Sequence, residues 1–262
     1  TKTGARTRED AWRQINESLE RLDTDYVDNL HLHALRSPED IDRRLGPDGA
    51  MEALLKARDQ GMTRYIGCTS HRSDVLIEAL RRFDFEIILV PMNLVEREPL
   101  DELIPMCHER GVGVTIMKPL ATGLIPAPLA LKWLLNQPIA TAVPGITTLA
   151  ELEEDAAVGW APTTLTPEEM QTVEATRQQL EHVRCRICGH CHPCPQEIPI
   201  SMTLGTDVVF DHYRTMGPEV FRAFPWSSER MERELERRPK IIGAIESCTR
   251  CGLCEERCPY GL

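Results

Sequence analysis

From Thr7 to Trp160 the chain alternates two hydrophobic rhythms. One repeats every three or four residues and predicts amphipathic helices; the other gathers apolar and β-branched residues into short runs that predict strands. The helical stripes are Trp12, Ile15, Leu19 and Leu22, then Met51 to Ala57, Val75 to Phe83, Leu100 with Leu103, Ile104 and Cys107, and Leu129 to Leu135. Thr7 and Asp10 form a candidate capping box before the first stripe, and Gly111 stops the fourth. The strand runs are Tyr26 to Leu32, Arg64 to Cys68, Glu86 to Val90, Val112 to Met117 and Ile139 to Val143, with a stub at Thr1. Strands this short, separated by helices, predict repeated βα units and a buried parallel sheet. After Gly159 the rhythm changes. Thr166-Pro167-Glu168-Glu169 places an N-cap, a first-turn proline and a capping-box glutamate ahead of a helix reaching about Glu181.

Composition narrows the function classes. The 262 residues contain no apolar run near the roughly 20 that a spanning helix needs, so no membrane role is expected. A net charge of -11 with 5% aromatic residues argues against nucleic acid as a partner. The segment after Glu181 is close to neutral, so the negative charge belongs to the first part. That shift divides the chain into residues 1–181 and 182–262. No signal peptide opens the sequence, and a reducing cytoplasm fits its cysteine usage. The abrupt start at Thr1-Lys2-Thr3 and stop at Cys258-Pro259-Tyr260-Gly261-Leu262 read as a piece of a longer protein.

Eight of the ten cysteines fall in two clusters, while Cys68 and Cys107 lie in apolar patterns as buried thiols. The first cluster is Cys185-x2-Cys188-x2-Cys191-x2-Cys194-Pro195, and the second is Cys248-x2-Cys251-x2-Cys254-x3-Cys258-Pro259. Such runs resemble those of bacterial ferredoxins, which imply two 4Fe-4S clusters with crossed fourth ligands. By that resemblance Cys185, Cys188, Cys191 and Cys258 would hold one, and Cys248, Cys251, Cys254 and Cys194 the other. Structural zinc and disulfides stay open as alternatives, and the first run departs from the pattern by one residue before its Cys-Pro. His190 and His192 lie inside the first run, where they could tune a cluster through hydrogen bonds to sulfur or simply be exposed. Val209, Tyr213, Val220 and Phe221 place helical stripes between Ile198 and Ser247, predicting a mostly helical wrapper around the thiolates.

The first part resembles the aldo-keto reductase family. The resemblance rests on Thr1-Lys2, Ser18-Leu19-Glu20-Arg21-Leu22, Asp25-Tyr26-Val27-Asp28, Leu32-His33, Arg64 to His71, Lys118-Pro119-Leu120 and Val143-Pro144-Gly145. It implies an α/β fold, a partial (β/α)8 TIM barrel, followed here by a ferredoxin-like domain. Lys2 then matches the family's active-site lysine and His33 its active-site histidine, both at carboxyl ends of strands, where barrel chemistry collects. His31 is placed on the opposite face, as packing. The family's proton-donating tyrosine and its partner aspartate belong upstream of Lys2, with two further strand-helix units, so this chain alone is expected to be inactive.

For a nicotinamide cofactor the resemblance points to Thr69 and Ser70 at the carboxamide, to Lys118, Pro119 and Leu120 along the channel, and to Gly145 and Thr147 near the 2'-phosphate. Leu89 replaces a common glutamine there. NADP and NAD both remain open. The expected activity is hydride transfer to a small carbonyl compound, with the clusters linked to an external flavoprotein or ferredoxin. The alternatives are an electron-transfer module on an inactive barrel scaffold, and clusters serving as structural staples.

Overall fold

The structure, a computed structural model, describes residues 1–183, 185–204, 214, 217, 219 and 225–262. The stripe residues Val209, Tyr213, Val220 and Phe221 lie outside the described residues. The chain forms two compact units, Thr1–Gln178 and Gln179–Leu262.

The first unit is built on six parallel strands: β1 (Lys2–Thr3), β2 (Val27–Leu32), β3 (Thr63–Thr69), β4 (Ile87–Pro91), β5 (Gly113–Met117) and β6 (Thr141–Val143). They pair in chain order from β1 to β6, the sequence of neighbours found along a barrel wall. Eight helices accompany them: α1 (Arg8–Leu22), α2 (Pro38–Leu45), α3 (Ala50–Asp59), α4 (Ser73–Arg82), α5 (Leu103–Arg110), α6 (Ala127–Leu134), α7 (Leu149–Trp160) and α8 (Pro167–Leu180). The sheet and its helices make a partial TIM barrel.

Local chemistry starts and stops these helices. The Thr7 hydroxyl accepts from the Asp10 amide at 3.3 Å, and Gly111 ends α5 in the left-handed region at φ 68°. Thr166 and Glu169 exchange both arms of a capping box at 3.2 and 2.7 Å. Two helices escape the hydrophobic rhythm because they bury little: α2 carries an apolar anchor at Ile41, and α7 one at Val158. Their start signals are nevertheless present, as Ser37 before Pro38 and as the Thr148–Glu151 capping box.

Alternation along the strands assigns two faces. Leu30, Leu32, Ile66, Cys68, Ile88, Val90, Val114 and Ile116 are all buried on the helix side. On the other face His31, Thr63, Thr69 and Thr115 are buried, while Tyr65 is 50% and Val143, on the edge strand, 53% exposed, so that face is covered only in part. Leu22, the last residue of α1, ends its stripe outside the core and is 56% exposed.

In the second unit residues 200–204 are helical, and α9 (Pro225–Glu246) and α10 (Leu253–Glu256) follow. Among the described residues its buried apolar side chains are Ile198 and Ile241 alone.

One glycine in the sheet is set by close approach. A Cβ at Gly67 would lie 2.5 Å from the Ile87 carbonyl oxygen and 2.6 Å from the His31 Nδ1. Gly67→Ala should therefore cost about 1–3 kcal/mol of stability, as overpacking does, read as a lowered urea midpoint at unchanged m value.

Candidate functional site

The candidate barrel site lies at the carboxyl ends of β1 to β6. Parallel pairing sets Lys2 opposite His31, while the His33 amide donates to the Thr3 carbonyl at 2.8 Å. Thr3 is buried against α1, where its hydroxyl donates to Gln14 at 2.7 Å, so Lys2 takes the open face. His31 and His33, two residues apart, share that face with Lys2. The expectation that His31 points the other way is thereby corrected.

His31 and His33 differ in surroundings. His31 is 8% exposed, its Nδ1 has no partner among the described residues, and burial, the Thr1 ammonium, Lys2 and His33 together push its pKa down to about 4. His33 is exposed, yet partial desolvation and the cations Lys2, Arg44 and Arg36 also lower its pKa. Both imidazoles are neutral at neutral pH.

The position of His33 is fixed from behind. Arg44, 3% exposed, donates to the His33 carbonyl at 2.9 Å and forms a two-pronged ion pair with Asp40 at 3.2 Å for each contact. Asp40 also accepts from Arg6 at 3.1 Å and from the Arg36 amide at 3.3 Å. One carboxylate thus ties the segment after β1, the segment after β2, and α2 into a single node. Neither Asp40 nor Arg44 belongs to a stripe or motif of the sequence, since Pro38 to Leu45 carries no hydrophobic repeat.

The residues expected at a nicotinamide are distributed unevenly. Thr69 and Ser70 are each 1% exposed. The Thr69 hydroxyl accepts from the Ala34 amide at 2.8 Å, and the Ser70 hydroxyl donates to the Leu35 carbonyl at 2.8 Å. Both stitch the segment after β2 to the end of β3. Lys118 turns left-handed at φ 56°, its Nζ 3.3 Å from the His71 Nδ1, and its carbonyl accepts from the fully buried Asn93 at 3.2 Å. Pro119 beside it is buried, Leu120 half-buried and Leu89 half-buried. Gly145 and Thr147 are exposed. The Thr147 and Thr148 amides donate to the Glu151 carboxylate at 2.6 and 3.0 Å, which holds that carboxyl below its usual range. His71 and Asn93 are positional neighbours that the sequence quotes or passes over without a role, since pairing across 47 and 25 residues leaves no local pattern.

In the second unit the two cysteine motifs fold as the same turn. Ile187 and Gly189 are left-handed at φ 58° and 80°, and Arg250 and Gly252 at 54° and 77°, each pair two and four residues after its leading cysteine. In each turn the amide of the left-handed residue donates to that cysteine's sulfur at 3.4 Å, Ile187 to Cys185 and Arg250 to Cys248. Turns of this kind point amides at negative charge. A cavity of about 490 Å3 is walled by Cys191, Cys194, Cys248, Cys251 and Cys254. The Arg257 guanidinium donates to the Pro193 carbonyl at 2.7 Å, bracing the cavity between the two motifs. Burial and the neighbouring thiols Cys185, Cys188 and Cys254 push the Cys191 thiol up, as crowded thiolates do where a cationic centre would relieve them. This donor set fits iron–sulfur clusters. Among the described residues no three His, Cys, Asp or Glu side chains converge as a set for a single metal ion. His192 lies 3.3 Å from the Ser201 hydroxyl, and His190 is exposed. Cys68 and Cys107 are buried, and burial raises both thiols, Cys107 to about 11.

Comparison with known proteins agrees with both units. Residues 2–127 match the model of the aldo/keto reductase family, and residues 184–262 that of a 4Fe-4S dicluster domain. D-threo-aldose 1-dehydrogenase of a Pseudomonas species is 36% identical over 113 residues, covering 42% of this chain and 33% of that protein. L-galactose dehydrogenase of Arabidopsis thaliana is 34% identical over 125 residues, covering 46% and 38%. The chain spans about a third of the length of these curated relatives. An aldo-keto reductase from Bacillus halodurans, solved in its holo form, superposes with a TM-score of 0.56 at 25% identity over 67% of this chain and 70% of that one. The first unit is thus part of a barrel of the aldo/keto reductase kind. The chain as a whole joins an aldo/keto reductase family segment to a 4Fe-4S dicluster domain.

Two outcomes test this geometry. Asp40→Ala strands Arg44 in a buried position and should cost about 3–5 kcal/mol, read by chemical denaturation. His31 has a folded pKa of about 4 against an ordinary 6.5, so the unfolded chain binds the extra proton between these values. Its contribution, about 3 kcal/mol, is fully present above pH 6.5 and is lost as the pH falls through 4. In His31→Leu the stability curve should be flatter across that window.

Proposed function

We propose that this chain is part of an iron–sulfur oxidoreductase of aldo-keto reductase type, with hydride transfer from NAD(P)H to a small-molecule carbonyl and two 4Fe-4S clusters for electron transfer. The observation that carries the reading is the placement of Lys2 and His33 on one face of adjacent parallel strands, in a chain whose second unit carries duplicate thiolate turns. Bound nicotinamide supplies the hydride, and bound clusters supply one-electron steps. Lys2 lies at the barrel mouth, where a cation would favour ionisation of a neighbouring phenol and so help that acid protonate an alkoxide. His33, kept neutral by partial desolvation and by the cations around it, donates one N–H to the carbonyl oxygen and orients it. Lys118, braced by His71, offers positive charge to a cofactor phosphate, with Pro119 and Leu120 shaping the channel.

NAD suits this site better than NADP. The Glu151 carboxylate already occupies the amides of Thr147 and Thr148, so a 2'-phosphate beside Gly145 and Thr147 would meet a negative charge. Crossed cluster ligation is supported by Cys194 lining one cavity with Cys248, Cys251 and Cys254, a cavity that Cys191 also borders. Cys185, Cys188, Cys191 and Cys258 then hold the other cluster. Because a hydride carries two electrons and each cubane one, a flavoprotein or ferredoxin is the partner the chemistry asks for, in a reducing compartment such as the cytoplasm. Among the described residues no helix is long and apolar enough to cross a membrane.

A second reading makes the barrel an inactive scaffold for an electron-transfer module. It is favoured by one observation: the Thr69 and Ser70 hydroxyls are committed to backbone groups.

Anaerobically prepared chain should contain about eight iron and eight sulfide, as two cubanes require, and Cys258→Ser should damage the cluster on Cys185, Cys188 and Cys191. Damage confined to the cluster on Cys248, Cys251 and Cys254 would overturn the crossing, and zinc without sulfide would overturn the clusters. NADH consumption with an aldehyde, once the tyrosine-bearing part of the barrel is supplied, separates the enzyme from the scaffold.

A further inference from the structure

The last residues of the chain are gripped by those just ahead of the first cysteine motif. His182 Nδ1 lies 2.6 Å from the Tyr260 carbonyl oxygen, and since a carbonyl only accepts, that nitrogen carries the proton. The Arg186 guanidinium stacks on the Tyr260 ring, 3.7 Å from its centroid, and is steadied by a bond to the Glu181 carbonyl at 3.1 Å. Gly261, left-handed at φ 63°, lets the chain pass, since a Cβ there would stand 3.1 Å from the His182 ring. Two contacts therefore converge on Tyr260, the residue two positions beyond Cys258, and a third close approach falls on Gly261, all from the segment that carries Cys185.

We propose that His182 and Arg186 are positioning residues that clamp Tyr260, seat Cys258 on the first cysteine motif, and raise the midpoint potential of the cluster held there. The proposal rests on the dicluster reading. Reduction adds negative charge to a cluster, and a guanidinium adjoining its ligand Cys185 favours the more negative state. Partial burial of Cys185, Cys188, Cys191 and Cys258 acts in the opposite direction by excluding water. Removal of the cation alone must then lower the potential. Among the described residues the second motif is less covered, with Cys248 and Cys251 exposed and Cys254 half-buried.

The test is an EPR-monitored redox titration of the full chain with iron and sulfide analysis. Arg186→Gln should shift one midpoint downward and leave the other in place, while Arg186→Lys, which keeps the charge, should restore most of the shift. Tyr260→Ala should lose iron toward half the unsubstituted content, as Cys258→Ser does, with no further loss when the two are combined. Tyr260→Phe, which keeps both ring and carbonyl, should retain full content. Unchanged midpoints in Arg186→Gln together with unchanged iron in Tyr260→Ala would overturn the clamp and leave the dicluster reading standing. Absence of sulfide from the unsubstituted chain would overturn both.

Discussion

The pairing of β1 with β2 sets Lys2 opposite His31 and hands the His33 amide to Thr3, and the chemistry of the first unit hangs on that register. Because side chains alternate across a strand, a slip of one residue would turn Lys2 and His33 into the helix layer and bring Leu32 out. The apolar half of the alternation prevents it. Leu30, Leu32, Ile66 and Cys68 are buried almost completely, and exposing even two of them would cost about 3–6 kcal/mol. Burial on the helix side therefore sets the direction of the polar groups on the other side, with no interaction among the polar groups needed.

Register fixes the face, while the Asp40 node fixes the loops. An ion pair this buried gains little net stability over an apolar replacement, because desolvation offsets much of the attraction. What it supplies is geometry: one carboxylate meets Arg6, Arg44 and the Arg36 amide, and Arg44 in turn holds the His33 carbonyl. A barrel mouth built on mobile segments needs such rigid supports behind its reactive side chains. The same logic explains Thr69 and Ser70, whose hydroxyls hold the loop after His33 in place. Side chains that might have met a cofactor serve the loop that carries the histidine.

The sequence shows the strands well because most are short apolar runs set between helical stripes, and all six parallel strands lie within two residues of their expected positions. It shows α2 and α7 poorly because each buries so little that only the caps announce it. His31 was misplaced by parity alone, an error that counting by two along β2 removes. The Asp40 node and the Lys118–His71 contact are of another kind. They join residues 34 and 47 positions apart, and long-range pairing of charged groups has no period to detect. The cysteine motifs were legible from spacing, but their identical turn geometry was not, since Ile187 and Arg250 share nothing in side-chain chemistry.

The two units are stabilised by different forces. The first is closed by apolar burial, from Ala11 and Ile15 on α1 to Val173 on α8. In the second, the described buried apolar side chains are Ile198 and Ile241, and metal–thiolate bonds at the two cysteine motifs would add to what burial supplies. Binding free energy at such a site is folding free energy, and the left-handed turns at Ile187, Gly189, Arg250 and Gly252 show where it acts. Non-glycine residues held left-handed cost energy, which is returned only when their amides meet thiolate charge. Oxidation of the thiolates would accordingly strike the second unit first, while the buried Cys68 and Cys107 of the first unit, with their raised thiols, stay inert.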